Sequence, residues 1–243
     1  MTIILPKYTG PGPQTLIGQY TDPNNPSRQH GFFGEVASDE FISGDALASA
    51  IGLIAGISQN STTSWLKFYI DGGIIYVPKK PIRHTVSWQD IYQAGAVYGD
   101  NTTGLHPAGT ARVQDTQVTI GEDTYKVMLL KGANSNPVTD EYGYDVAASH
   151  GSEWNRLFYN IATTIYSDKA SQEGDQWVEY TDDDLGTWFF EDVGAYNWCI
   201  EQSVAETNCR VIRGHSGVSY LLRLTVTNAH VNYGWRPKLE LVL

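Results

Sequence analysis

Two cysteines in 243 residues are too few for a disulfide framework. Cys199 and Cys209 leave two readings open, one disulfide closing a short loop or two free thiols, and their spacing fits no zinc pattern. Basic residues are also scarce: 16 Lys and Arg stand against 27 Asp and Glu, a formal charge of −11. Without a basic stripe to release counterions from phosphates, nucleic acid is not an expected partner. No run approaches the roughly 18 apolar residues that cross a bilayer, so no membrane insertion is expected. Met1-Thr2-Ile3-Ile4-Leu5-Pro6-Lys7 lacks the basic start and long apolar core of a cleavable signal. Synthesis in a cytoplasm is expected, with any extracellular role reached otherwise than by ordinary secretion.

Catalytic signatures are missing as well. The histidines His30, His84, His106, His150, His215 and His230 form no paired helical ligand motif. Ser216 beside His215 is not set in the Gly-x-Ser-x-Gly turn of a nucleophile elbow. Asp182-Asp183-Asp184 lacks the alternating oxygen ligands of a calcium loop. It reads instead as a helix start, where carboxylates suit the dipole. No metal, no cofactor and no catalytic residue is expected.

Aromatic residues are plentiful, with 7 Trp and 15 Tyr. Such side chains fill β-rich cores, and where exposed they favour interfaces and sugar-binding surfaces. The length allows one large domain or two small ones. Residues 1–60 read as an extended N-terminal part: Pro6, Pro11, Pro13, Pro23 and Pro26 favour extended or turning backbone up to residue 35, followed by a short helix capped by Ser43. Residues 1–35 are either a disordered tail or an arm laid along a neighbouring subunit, with Tyr8, Leu16, Ile17 and Tyr20 to bury.

Residues 61–243 read as a globular head. Trp65 to Lys79 is a hairpin around Asp71-Gly72-Gly73, and Gln117 to Leu130 is a second around Gly121-Glu122-Asp123. Ser87 caps a helix from Trp88, and Gly151 to Ile161 shows the helical spacing of Trp154, Leu157, Phe158 and Ile161. Three β-type runs end the chain, from Cys209, Tyr220 and Tyr233, with Leu222, Leu224 and Val226 on one face of the second and Arg223 on the other. The fold class expected is α+β.

Four motifs then stand in order: Ser87-Trp88, Glu153-Trp154, Arg213-Gly214-His215-Ser216 and Gly234-Trp235-Arg236. This order resembles the C-type-lectin-like fold shared by formylglycine-generating-type domains and the variable tip proteins of bacteriophage tail fibres. The resemblance covers about residues 60–243. The turn here lacks the second Gly and the Trp of the family's Arg-Gly-Gly-Ser-Trp, Trp235 replaces a Phe, and nothing matches the catalytic cysteine pair of the enzymes. The resemblance implies a ligand face after the Arg-Gly turn, with His215, Ser216, Tyr220, Arg223, Asn228, His230, Asn232 and Tyr233 as candidates; core packing and turn formation are the competing readings for Tyr220 and the Asn residues. It also implies structural roles for Arg213 and Arg236 in the sheet.

The whole chain resembles bacteriophage virion proteins. The expectation is a non-enzymatic tail-fibre tip or receptor-binding protein located in the virion, binding other virion proteins and a host-surface glycan or protein. The alternative is a decoration or fibre protein of capsid, collar or tail. A homo-oligomer is expected, as in the trimers common in virions, with Tyr69, Ile75 and Tyr76 joining the arm residues at the interface.

Overall fold

The computed structural model describes residues 3–107, 109–164, 168–188 and 193–243. Along the chain come β1 (Gly18–Thr21), β2 (Gln29–Val36), α1 (Gly44–Ala50), β3 (Ile57–Ser58), β4 (Trp65–Ile70), β5 (Gly73–Pro78) and β6 (Arg83–His84). Then follow α2 (Trp88–Gln93), β7 (Gln117–Ile120), β8 (Asp123–Met128), β9 (Gly143–Tyr144), α3 (Glu153–Phe158), β10 (Ala162–Thr163), β11 (Tyr180–Thr181) and α4 (Asp182–Leu185). The chain closes with β12 (Tyr196–Gln202), β13 (Cys209–Arg213), β14 (Tyr220–Thr225), β15 (Tyr233–Trp235) and β16 (Lys238–Leu241). The class is α+β, dominated by sheet.

Local chemistry explains most element boundaries. The first hairpin turns on Asp71 (φ 47°) and Gly72 (φ 100°), two successive left-handed residues that match the strand twist. Ser87 caps α2 by accepting from Asp90 N at 3.1 Å, and the Asp90 carboxylate returns the bond to Ser87 N at 3.0 Å. Ser152 caps α3 through Asn155 N, and Thr181 caps α4 through Asp184 N. The three acidic residues therefore start a helix, as expected.

The first sheet runs β1-β2-β4-β5-β16-β8-β7 and the second β3-β6-β15-β12-β13-β14-β9. They are joined where β8 continues to Leu130, which forms a parallel bridge to Cys199 of β12. Each sheet is buried on both faces. On one side Trp65, Tyr76, Leu239, Trp198 and Ile212 share a core with α1 and α2. On the other, Phe68, Ile75, Val211 and Leu221 share a core with Trp154, Leu157 and Phe158 of α3. The last β-type run, read as one strand, is two. Pro237 has no N–H for a ladder and holds Arg236 extended. At that point the chain leaves the second sheet at Trp235 and enters the first at Lys238.

Two readings of the N-terminal part are corrected here. Residues 18–36 do not lie along a separate arm: β2 pairs with β4 from His30↔Ile70 to Val36↔Trp65, and Phe32 and Phe33 are buried. The prolines stop short of β2, whose own residues alternate between the two cores. Tyr69, Ile75 and Tyr76, expected at an interface, are 5%, 1% and 0% exposed within the single chain. Both faces of their hairpin are already covered, so they have no surface left for a neighbour. Of the other expected interface residues, Tyr8 and Ile17 are exposed, and Leu16 and Tyr20 are half-buried.

The loop before β1 is fastened by Lys67. This fully buried lysine donates to Pro13 O at 2.7 Å and to Thr9 Oγ1 and Gly10 O at 3.2 Å. Its ammonium sits 4.8 Å from the centre of the Phe33 ring. Burial lowers its pKa to about 8. Lys67→Met takes a donor from three oxygens, of which Gly10 O keeps the Gln14 amide at 2.9 Å. Hydrogen–deuterium exchange at residues 9–14 is expected to quicken, with a loss of roughly 1–3 kcal/mol in urea unfolding; unchanged exchange would show the loop to be held by other contacts.

Candidate functional site

Two buried arginines, Arg213 and Arg236, build the scaffold beneath the candidate site, and a third, Arg210, lies at the far end of β13. Arg213, fully buried at the end of β13, donates to Gly132 O (2.6 Å), Asn155 Oδ1 (2.8 Å), Tyr220 O (3.1 Å) and Val218 O (3.2 Å). Its guanidinium lies 5.6 Å from the centre of the Trp154 ring, and that of Arg236 lies 5.7 Å from the same ring and 5.2 Å from Phe158. Arg236 also donates to Leu185 O. Arg210 lies 4.4 Å from the Trp88 ring, and Trp88 donates to Cys199 O at 3.2 Å. Carbonyls and aromatic faces thus partner these buried guanidinium groups.

Above this scaffold, at one end of the second sheet, runs a belt of rings. Tyr144 of β9 packs 4.9 Å from Tyr220 of β14, and Tyr220 5.7 Å from His215, in the turn after β13. His215 stacks on Tyr196 of β12 with centroids 3.7 Å apart and planes at 8°. Tyr196 then meets Tyr233 of β15 edge-on at 5.6 Å, and Tyr233 lies 5.5 Å from His230. Register produces this row: Tyr220 lies opposite Tyr144, and Tyr196 opposite Tyr233. His230 is exposed and the other five are half-buried. Trp198, two residues beyond Tyr196 and so on the same face, backs Tyr233 from the core at 5.8 Å.

Five expected ligand residues therefore gather here: His215, Tyr220, His230, Tyr233 and Ser216, whose Oγ is 3.0 Å from His215 Nδ1. Asn232 joins them, its carbonyl accepting from Tyr196 N at 2.9 Å. Two do not. Arg223 stands an odd number of residues from Tyr220 and so faces the opposite way. It is held by Asp140 and by Glu206 at 2.9 Å, over the Tyr142 ring. Asn228 closes the turn after β14, at the end of the strand remote from Tyr220. Tyr196 and Tyr144 were missed; the alternation Tyr196, Trp198, Ile200 was the signal available for Tyr196.

Burial alone pushes the His215 imidazole down to about 4, so it is neutral at pH 7. Tyr196 is held well above the usual phenol range, again mainly by burial, with Tyr220 and Tyr233 adding to it. Such a row can stack on flat apolar faces and offer hydroxyl and imidazole hydrogen bonds.

Other chemistry is accounted for within the fold. A cleft of about 400 Å³ lies between the first hairpin turn and α3. Four of its charged residues are paired, Arg156 to Asp71 at 2.6 Å and Lys238 to Glu153 at 2.6 Å, and Lys131 and Glu240 also line it. Cys199 and Cys209 are both free, which removes the disulfide alternative. Burial holds the Cys199 thiol well above its ordinary value, so it is no ready nucleophile. Among the described residues, no group of three or more His, Cys, Asp or Glu is placed to hold a metal ion. Among them too, no helix is long and apolar enough to cross a membrane. Compared with known proteins, the chain matches no protein-family model, no curated protein and no solved structure.

Two stability predictions follow from this scaffold. Arg213→Ala takes a donor from four oxygens, of which Val218 O keeps the Trp154 indole and Tyr220 O keeps Gly214 N, and it is expected to cost roughly 3 kcal/mol or more in urea unfolding; a loss below about 1 kcal/mol would refute the locking role. Glu201, 2% exposed on β12, is raised by burial to about 7 from 4.5. Between those values the folded chain keeps a proton that the unfolded chain releases, so stability falls as pH rises. Glu201→Gln removes this loss. Its stability advantage over the natural chain is expected to grow by roughly 3 kcal/mol between pH 4 and pH 7 and then level off. A gap that does not change with pH would mean that Glu201 titrates normally.

Proposed function

We propose that this chain is a non-enzymatic bacteriophage virion protein that serves in host attachment, as a tail-fibre tip or receptor-binding protein with a C-type-lectin-like head. The observation that carries the reading is the aromatic belt. It begins at the Arg213-Gly214 turn, where the resemblance implies a ligand face, and it gathers six of the eight residues expected there. The meeting of Trp154, Arg213 and Arg236 in one buried cluster supports the same reading, because three of the four ordered motifs then serve a single structural purpose. The belt binds a host-surface molecule, and the opposite, N-terminal edge of the first sheet binds other virion proteins within a homo-oligomeric assembly.

The alternative is an architectural role as a decoration or fibre protein on capsid, collar or tail. Exposed apolar residues near β1 favour it: Ile4 is 89% exposed, Ile17 55% and Tyr8 52%. In the attachment reading the same residues face the particle.

Labelling intact virions with an antibody against residues 150–243 separates the two. Label at the distal tail, with adsorption blocked, is expected. Label over head or collar with normal adsorption would leave the architectural role. In the same assay, virions carrying Tyr196→Ala are expected to adsorb at least about tenfold less, the loss of one well-stacked ring.

A further inference from the structure

We infer that the apolar groove beside β1 is the contact between two copies of this chain, which meet about a two-fold axis. This rests on the homo-oligomeric assembly in the reading above and names its partner.

The groove is built from residues 3–5 and 14–19. Its volume is about 400 Å³, and Ile3, Leu5, Leu16 and Ile17 are its apolar walls. These walls are fixed from within the chain. Ile3 N donates to Gln19 Oε1 at 3.2 Å, which ties one wall to the other. The Gln14 amide donates to Gly10 O at 2.9 Å and to Gly12 O at 2.7 Å, and Lys67 donates to Pro13 O. Ile3 is buried in the core shared with α1 and α2, and Leu5 and Leu16 pack against that core. A preformed surface loses little freedom when a partner arrives.

Charge separates this patch from the rest of the molecule. No charged residue lines the groove, and Lys7 is the only charged side chain before Asp22. The cleft beside α3, in contrast, is lined by Asp71, Lys131, Glu153, Arg156, Lys238 and Glu240. The acidic groups that follow or touch this segment are engaged: Asp22 faces Arg28 at 3.8 Å, and Asp123 accepts from the Tyr8 hydroxyl at 2.6 Å. Two copies that each carry −11 repel one another wherever acidic surfaces meet. A contact between copies therefore belongs where acidic residues are missing. A basic partner would find no carboxylate in the groove to pair with.

Shape selects a second copy. A two-fold contact sets one patch against itself, so the patch must carry a projection as well as a recess. Here Ile4, 89% exposed, stands between Ile3 and Leu5 in one wall of the groove, and Ile17, 55% exposed, belongs to the other. β1, which supplies Gly18 and Gln19 to the groove, is the end strand of the first sheet and pairs only with β2 among the described strands. It carries neither the charge nor the proline that keeps an edge strand single. A two-fold axis beside it sets the two β1 edges antiparallel, so their backbones can pair as the side chains meet.

The test is analytical ultracentrifugation of the purified full chain over a roughly hundredfold range of concentration, at about 0.05 M and about 0.5 M salt. Ile4→Asp and Ile17→Asp are run beside it. Ile54→Asp is the control, since Ile54 is 93% exposed but lies between α1 and β3. Near-ultraviolet circular dichroism checks each fold. The mass of two chains is expected as concentration rises, held or strengthened at the higher salt, which screens the repulsion between acidic copies. Ile4→Asp and Ile17→Asp are each expected to weaken the dimer about tenfold or more, and Ile54→Asp to change it less than about twofold. A single-chain mass at every concentration overturns the inference, and a mass of three or more chains overturns the two-fold contact. A dimer indifferent to Ile4→Asp and Ile17→Asp overturns the site. A dimer lost at the higher salt is held by charge, which overturns the inference as well. If the chain stays single but amides of residues 3–19 exchange more slowly in the virion than in solution, the occupant is another virion protein and the inference fails. The same samples are tested for blocking virion adsorption. A single chain that blocks adsorption sinks the inference alone, and a dimer that does not block it leaves the inference standing and removes the attachment reading.

Discussion

The buried guanidinium of Arg213 ties together parts of the chain that have no other reason to meet. Its donors reach Gly132 in the loop before α3, Asn155 within α3, and Val218 and Tyr220 around the turn into β14. A charged group out of water is tolerated only when its partners are fixed in advance. Here α3 is fixed by the Ser152 cap and by Trp154, whose indole donates to Val218 O at 2.8 Å. The indole and the guanidinium thus hold the same carbonyl, from two elements. The turn that carries His215 cannot move without breaking bonds to both. The ring row above it is therefore set on a rigid base, although His215 and Ser216 themselves lie in a turn.

Closure of the chain works in the same direction. The switch at Pro237 sends the last strand between β5 and β8, in the middle of the first sheet. Arg236, at the crossing, packs on Trp154 and Phe158. The two sheets are thereby pinned at the bridge from Leu130 to Cys199 and again at the crossing itself. With α1 and α2 on one side and α3 on the other, apolar faces are covered almost everywhere. Among the described residues, the tyrosine end of the second sheet is less covered, with Tyr144, Tyr196, Tyr220 and Tyr233 half-buried.

What was legible in the sequence was local. The Asp71-Gly72 turn, the Ser43 and Ser87 caps and the acidic start at Asp182 depend on neighbours within four residues, and each formed as read. What was not legible depended on pairing at long range. A proline-rich approach suggested an arm, yet β2 lies inside the sheet because its Phe32 and Phe33 fill opposite cores. The hairpin from Trp65 to Lys79 was read without showing that Lys67 points inward, since the oxygens that cap it come from residues 9–13. In the candidate site, face parity was the missing step. It would have removed Arg223 from a set containing Tyr220, and it would have added Tyr196 from its spacing to Trp198. Tyr144 could not be found this way, because β9 is two residues long and is placed only by its partner β14.

The row of half-buried tyrosines belongs to a chain with a formal charge of −11. The buried cations of the second sheet and its crossing are Arg210, Arg213 and Arg236. Their charge is spent on carbonyls and indole faces, so it stiffens the base and adds little field at the surface. The turn that carries His215 is held by the bonds from Arg213 to Val218 O and Tyr220 O, so the rings stand on a base fixed from the core.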